Sequence, residues 1–85
     1  PVIGVDYALE YGTARMELRP ETVTKGARVL VIDDVLATGG TAAASISLIE
    51  QAGATVEAIC MLLELSDLGG RRQLQGREVD SIVIF

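Results

Sequence analysis

Aliphatic runs alternate along this chain with short polar or glycine-containing stretches, and the spacing within each run predicts its structure. From Thr13 to Arg19 polar and larger side chains alternate, with Ala14, Met16 and Leu18 on one face, the period of a half-buried strand, and Pro20 stops it. Pro20 to Lys25 is polar and turn-like, and Gly26 leads into a strand from Arg28 to Asp34. Its four consecutive aliphatics, Val29 to Ile32, do not alternate, which predicts a central strand covered on both faces, as in parallel sheets. Thr41 stands where an N-cap belongs. Beyond it Ala42, Ala43, Ile46, Leu48, Ile49 and Ala52 predict an amphipathic helix ending at Gly53. Thr55 to Leu65 is a second buried strand. Ser66 to Gly76 reads as a loop with one helical turn around Arg71 to Leu74, and Val79 to Phe85 as a final strand. Strand, loop, helix and strand make a βαβ unit, which closes right-handed on a parallel sheet. The expected class is α/β.

Composition narrows this further. Eighty-five residues hold at most one domain, and a hydrophobic fraction of 49% implies a segment made mostly of core, in want of a partner surface. No apolar run approaches the roughly 18 positions of a membrane span, so no transmembrane helix and no membrane partner are expected. A net charge of −5 argues against a nucleic-acid surface, which calls for clustered Lys and Arg. The single cysteine, Cys60, sits in the apolar run AICMLLEL and reads as a buried free thiol, fitting a reducing cytoplasm. The chain opens PVIGVDY, with no initiator Met, basic stretch or cleavage site, so residues 1–85 are expected to be part of a longer domain.

The chemistry concentrates in Val29 to Thr41. A buried strand ends in Asp33 and Asp34, a glycine turn follows and a helix begins, which places the loop at the carboxyl end of a strand where open α/β sheets bind ligands. Gly39 and Gly40 permit positive φ and close backbone approach, and the first N–H groups of the helix have no internal partner, so the turn suits a phosphate. Thr38 and Thr41 add hydroxyls. The loop has no Lys, so it is not the GxxxxGK[ST] loop of ATPases. The two carboxylates accept hydrogen bonds and suit the vicinal hydroxyls of a ribose whose 5-phosphate occupies the turn. A magnesium ion held by those hydroxyls and a pyrophosphate would sit in their negative field, directly or through water.

This block resembles the donor-binding signature of type I phosphoribosyltransferases, in which four apolar residues precede two acids and a Thr-Gly-Gly-Thr-like turn. The resemblance implies that Asp33 and Asp34 bind the ribose hydroxyls of phosphoribosyl diphosphate, that Ala37, Thr38, Gly39, Gly40 and Thr41 cradle its 5-phosphate, and that Val35 and Leu36 lie against a purine. Upstream, Asp6 to Ala14 is similar to the mobile loop of adenine phosphoribosyltransferases, and downstream Leu63-Glu64-Leu65 with Gly70-Arg71 is similar to their pattern. That likeness makes residues 1–12 a lid, with Glu10 catalytic and Tyr11 beside it. It also implies transfer of phosphoribosyl to adenine, giving AMP and pyrophosphate, with magnesium as cofactor, a cytoplasmic location and a homodimer in the intact protein. The base-reading and pyrophosphate-binding half of such an enzyme is expected outside these residues, so the 85-residue segment alone should be inactive.

Each feature has a plainer reading. Two acids can simply end a strand, two glycines can simply start a helix, and Glu10 can be a solvated loop acid; the joint pattern favours the donor site. Glu64 lies within an aliphatic run, where a carboxylate needs a partner, a polar site or a strand end. Arg71, Arg72 and Arg77 read as a solvated basic face. Alternatives are an enzyme for another base, such as xanthine, and a non-catalytic regulator of the same fold that senses phosphoribosyl diphosphate.

Overall fold

A computed structural model describes residues 2–9 and 12–85. Two sheets share one helix. Strands β1 (Ile3–Leu9) and β2 (Gly12–Leu18) form an antiparallel hairpin, with Val5 opposite Met16 and Tyr7 opposite Ala14. The three-stranded sheet runs in the order β3 (Arg28–Leu36), β4 (Thr55–Glu64), β5 (Val79–Ile84), all parallel, and helix α1 (Gly40–Gln51) crosses between β3 and β4.

The strand β1 was not anticipated, yet Ile3, Val5, Tyr7 and Leu9 alternate with Gly4, Asp6 and Ala8 in the same period-2 pattern as β2. The hairpin packs on α1, where the Ser45 hydroxyl lies 3.4 Å from the Met16 sulfur. Its outer face is charged: Arg15 pairs across the strands with Asp6 at 3.1 Å and along its own strand with Glu17 at 3.3 Å.

Helix α1 starts earlier than expected. Gly39, not Thr41, is the N-cap, because its left-handed backbone (φ 88°) turns the chain into the helix and leaves Thr41 inside the first turn. The helix ends as its sequence predicts, with Gly53 at φ 97° and the Gly53 and Ala54 amides donating back to the Glu50 and Ile49 carbonyls at 3.1 and 3.2 Å.

Between α1 and one face of the sheet lies the core, built on Leu36, Ala42, Ile46, Val56, Ile59 and Met61 and closed at one end by Leu74. The opposite face is open. Leu30, Ile32, Leu62, Ile82 and Ile84 stand on the surface, Ile32 and Ile82 each 70% exposed. This corrects the expectation for Val29 to Ile32: within the described residues β3 is an edge strand with one covered face, and β4 is the middle strand. One helix covers one side of a sheet. The missing alternation fits a strand covered on both faces, and the described residues cover one of them.

At the carboxyl end the alternation breaks in two strands together. Met61 and Glu64, three positions apart, are both buried, and so is Leu36, the register partner of Glu64. Between β4 and β5 the chain makes two short 3-10 turns, Ser66–Leu68 and Gly70–Leu74, the second including the expected turn at Arg71 to Leu74.

Candidate functional site

β3 carries the two acids to the carboxyl edge of the sheet, and the strand continues past them to Leu36 instead of ending at Asp34. Both side chains are exposed. The Asp34 amide donates to an Asp33 carboxylate oxygen and the Val35 amide to an Asp34 carboxylate oxygen, each at 2.8 Å. In each case one oxygen is satisfied by the following backbone amide and the other is open to a ligand.

The turn after β3 frames a small cleft, about 60 Å³, lined by residues 35–42. Gly39 is there because nothing else fits. It has positive φ, and a Cβ on it would stand 2.5 Å from the Gly70 carbonyl oxygen. A Cβ on Gly40 would approach the Ala8 carbonyl oxygen to 2.9 Å, so the hairpin rests directly against the helix start. The Ala43 amide is the first to close a helical bond, to Gly39 at 2.9 Å, which leaves the amides of residues 40–42 without helical acceptors. No side chain caps this terminus, and no acidic residue lies in its first turn. Backbone donors and the helix dipole thus give the cleft an anion-attracting end, while Asp33 and Asp34 give its approach an acceptor-rich one.

The expected site residues divide as follows. Asp33, Asp34, Val35, Ala37, Thr38, Gly39, Gly40 and Thr41 follow one another around this cleft and its approach, with Thr38 half-buried and Thr41 exposed. Leu36 also lines this cleft but is placed differently from its neighbours. It is 1% exposed and its side chain belongs to the core, because the break in alternation turns it inward beside Glu64. Val35, 39% exposed, is the aliphatic that reaches the surface. Glu10 and Tyr11 lie outside the described residues.

Behind the turn is a support that sequence reasoning did not assign. Leu65 donates to the Leu36 carbonyl at 2.9 Å, Gly70 packs so closely on Ala37 and Leu36 that it has no room for a Cβ, and Gln73 donates its amide to the Thr38 carbonyl at 2.9 Å. The pair Gly69-Gly70 was the available signal. Glu64 locks this support in place: it is 5% exposed and accepts from Arg71 Nε at 2.9 and 3.0 Å and from the Ser81 hydroxyl at 2.7 Å. The Arg71 guanidinium, then the Ser81 hydroxyl, hold the Glu64 carboxyl below its ordinary pKa against the opposing effect of burial. Arg71 also donates to the Val79 carbonyl at 3.0 Å, and Arg77 forms a two-pronged pair with Glu50 at 2.8 Å. These two arginines are structural ties, not the solvated basic face expected for them.

A family profile described as the Phosphoribosyl transferase domain matches residues 5–83. The chain is 61% identical over 79 residues to an adenine phosphoribosyltransferase of Kineococcus radiotolerans, covering 93% of this chain and 43% of the relative. It is 51% identical to that of Symbiobacterium thermophilum, covering 95% and 48%. It thus spans less than half the length of these two relatives. Among solved structures, adenine phosphoribosyltransferase from Thermoanaerobacter pseudethanolicus is similar at TM-score 0.94 and 43% identity, covering 99% of this chain and 49% of that one. The Saccharomyces cerevisiae enzyme, solved with an imino-altritol bisphosphate and adenine, is similar at TM-score 0.89 and 32% identity, covering 96% and 46%. The parallel sheet, the glycine turn at its edge and the profile match along nearly all of the sequence agree: this chain belongs to the phosphoribosyltransferase domain family, with the type I fold.

Proposed function

We propose that the intact protein transfers phosphoribosyl from 5-phosphoribosyl 1-diphosphate to adenine, forming AMP and pyrophosphate. The observation that carries this is the left-handed Gly39 turn seated against Gly70, which opens unpaired helix amides at the end of a strand bearing Asp33 and Asp34. In this reading the amides and hydroxyls from Ala37 to Thr41 hold the 5-phosphate, the carboxylates of Asp33 and Asp34 hold the ribose hydroxyls, and Val35 touches the purine. The names of the relatives support adenine as the base. The Trypanosoma brucei enzyme, 29% identical and solved in complex with AMP, pyrophosphate and ribose 5-phosphate, supports the donor chemistry.

As C1–O cleavage advances, positive charge grows on the ribose, and the two carboxylates stabilise it through the hydroxyls they grip. Magnesium is proposed to come with the bound donor, held by its ribose hydroxyls and pyrophosphate in the negative field of Asp33 and Asp34, with no direct ligand from this chain. Bound there, magnesium would supply charge neutralisation for the leaving pyrophosphate. The hairpin whose connecting sequence holds Glu10 and Tyr11 is proposed as a lid over residues 1–12 that excludes water, with Glu10 at the reaction centre. A homodimer and a cytoplasmic location complete the proposal. Among the described residues no helix is long and apolar enough to cross a membrane.

The test is AMP formation by the intact protein from adenine, phosphoribosyl diphosphate and magnesium, with xanthine assayed alongside. Adenine turnover is expected. Turnover with xanthine alone would move the protein to another base, and donor binding without turnover would make it a sensor. For the lid, hydrogen exchange in β1 and β2 should slow when donor and base are both bound; exchange insensitive to either ligand would contradict it.

A further inference from the structure

We propose that Gln73 is a positioning residue for the phosphate turn: by holding the Thr38 carbonyl it sets the direction of the Gly39 amide toward the anion. The inference rests on the proposed function and adds a residue to it. Thr38 C=O and Gly39 N–H belong to one trans peptide, so they point in opposite directions, and fixing one aims the other. Gly39 has no Cβ and sits at φ 88°, so this peptide can rotate at little steric cost unless something tethers it. The Gln73 amide is that tether, 2.9 Å from the Thr38 oxygen.

The tether is itself anchored. Gln73 lies in the 3-10 turn Gly70–Leu74, between Leu74, which is buried in the core, and Arg71, which grips buried Glu64. From the same turn the Gly70 carbonyl blocks any side chain at position 39. The turn that receives the phosphate is therefore set by a second segment, more than 30 residues away, through one hydrogen bond and one steric wall. Gln73 is solvent-exposed and its side-chain hydrogen bond goes to the turn, not to Asp33 or Asp34, so its influence should fall mainly on the phosphate.

The experiment compares Gln73→Met, which keeps length and loses the donor, with Gln73→Lys, which keeps a donor, in the intact protein. Binding of AMP, ribose 5-phosphate and free adenine is read by calorimetry, and folding by thermal melting. Loss of one neutral hydrogen bond predicts that Gln73→Met binds AMP and ribose 5-phosphate about five- to tenfold more weakly. Its adenine affinity and melting temperature should match wild type, and Gln73→Lys should recover the phosphate ligands. Unchanged AMP affinity in Gln73→Met would overturn the inference, as would an equal loss for adenine and AMP, the mark of a merely structural role. A wild-type protein that bound neither phosphate ligand would instead remove the proposed function and this inference with it.

Discussion

Gly39 is the residue on which the phosphate turn depends most. Its φ of 88° would cost an alanine roughly 1–2 kcal/mol, and the Gly70 carbonyl oxygen 2.5 Å from the would-be Cβ adds a steric cost. Gly39→Ala in the intact protein should therefore weaken AMP binding at least about tenfold, measured by calorimetry, while the far-UV spectrum stays native. Retained AMP affinity would mean that the turn is not the phosphate site. Asp33 and Asp34 make a different demand, because their value grows with charge on the ribose. Asp33→Asn and Asp34→Asn should each lower kcat/KM for the donor about 10- to 100-fold and change the AMP dissociation constant less. Variants with wild-type kcat/KM would contradict the ribose assignment. These residues were legible because two acids and a glycine pair have few plain explanations when they occur together. Leu36 was not. An aliphatic next to Val35 gives no sign in sequence that a break in strand alternation turns it into the core, since that break is made by packing with Glu64 and Gly70 from another segment.

At the scale of elements, the βαβ unit was readable from β3 to β4 because the aliphatic runs of the two strands and the glycine stop of the helix are local signals, although α1, packed between hairpin and sheet, is buried on more than one face. β1 carries the alternation of Ile3, Val5, Tyr7 and Leu9, but a single short alternating run beside a loop-like sequence is a weak signal until its partner β2 pairs with it. The backing turn Gly70–Leu74 could be located but not understood, since its partners Glu64, Thr38 and Gly39 lie elsewhere in the chain. Its anchor can be tested by pH. Arg71 and Ser81 depress the Glu64 carboxyl below its ordinary 4.5, so the pair adds stability that is fully present above that pH and is lost as pH falls through the lower folded value. The stability gap between wild type and Glu64→Gln, read by denaturant unfolding, should be widest near neutrality and close below pH 4.5. The Glu50 carboxyl, also lowered by Arg77, is common to both proteins and cancels in the difference. Arg71→Met should cost roughly 2 kcal/mol, less than a fully buried pair would lose because the Arg71 side chain is 45% exposed. A pH-independent gap would show that Glu64 is not held as a charged partner.

At the scale of the molecule, a sheet with large aliphatics such as Ile32 and Ile82 exposed on its open face calls for a further layer to bury them. The chain spans 43% and 48% of the two curated relatives described above, so the remainder has the length to supply that cover. The base-reading half of such an enzyme is expected outside these 85 residues, so the isolated segment should form no AMP under conditions where the intact protein turns over. Turnover near the intact rate would refute that division of labour. The central claim is narrower: the glycine turn at the end of β3 receives the 5-phosphate, and the two acids before it receive the ribose. A crystal structure of the intact protein with ribose 5-phosphate tests it most directly. The account predicts phosphate oxygens within about 3 Å of backbone amides between residues 38 and 42, and ribose hydroxyls on Asp33 and Asp34. A phosphate bound elsewhere, with this turn and these carboxylates free of ligand, would contradict it.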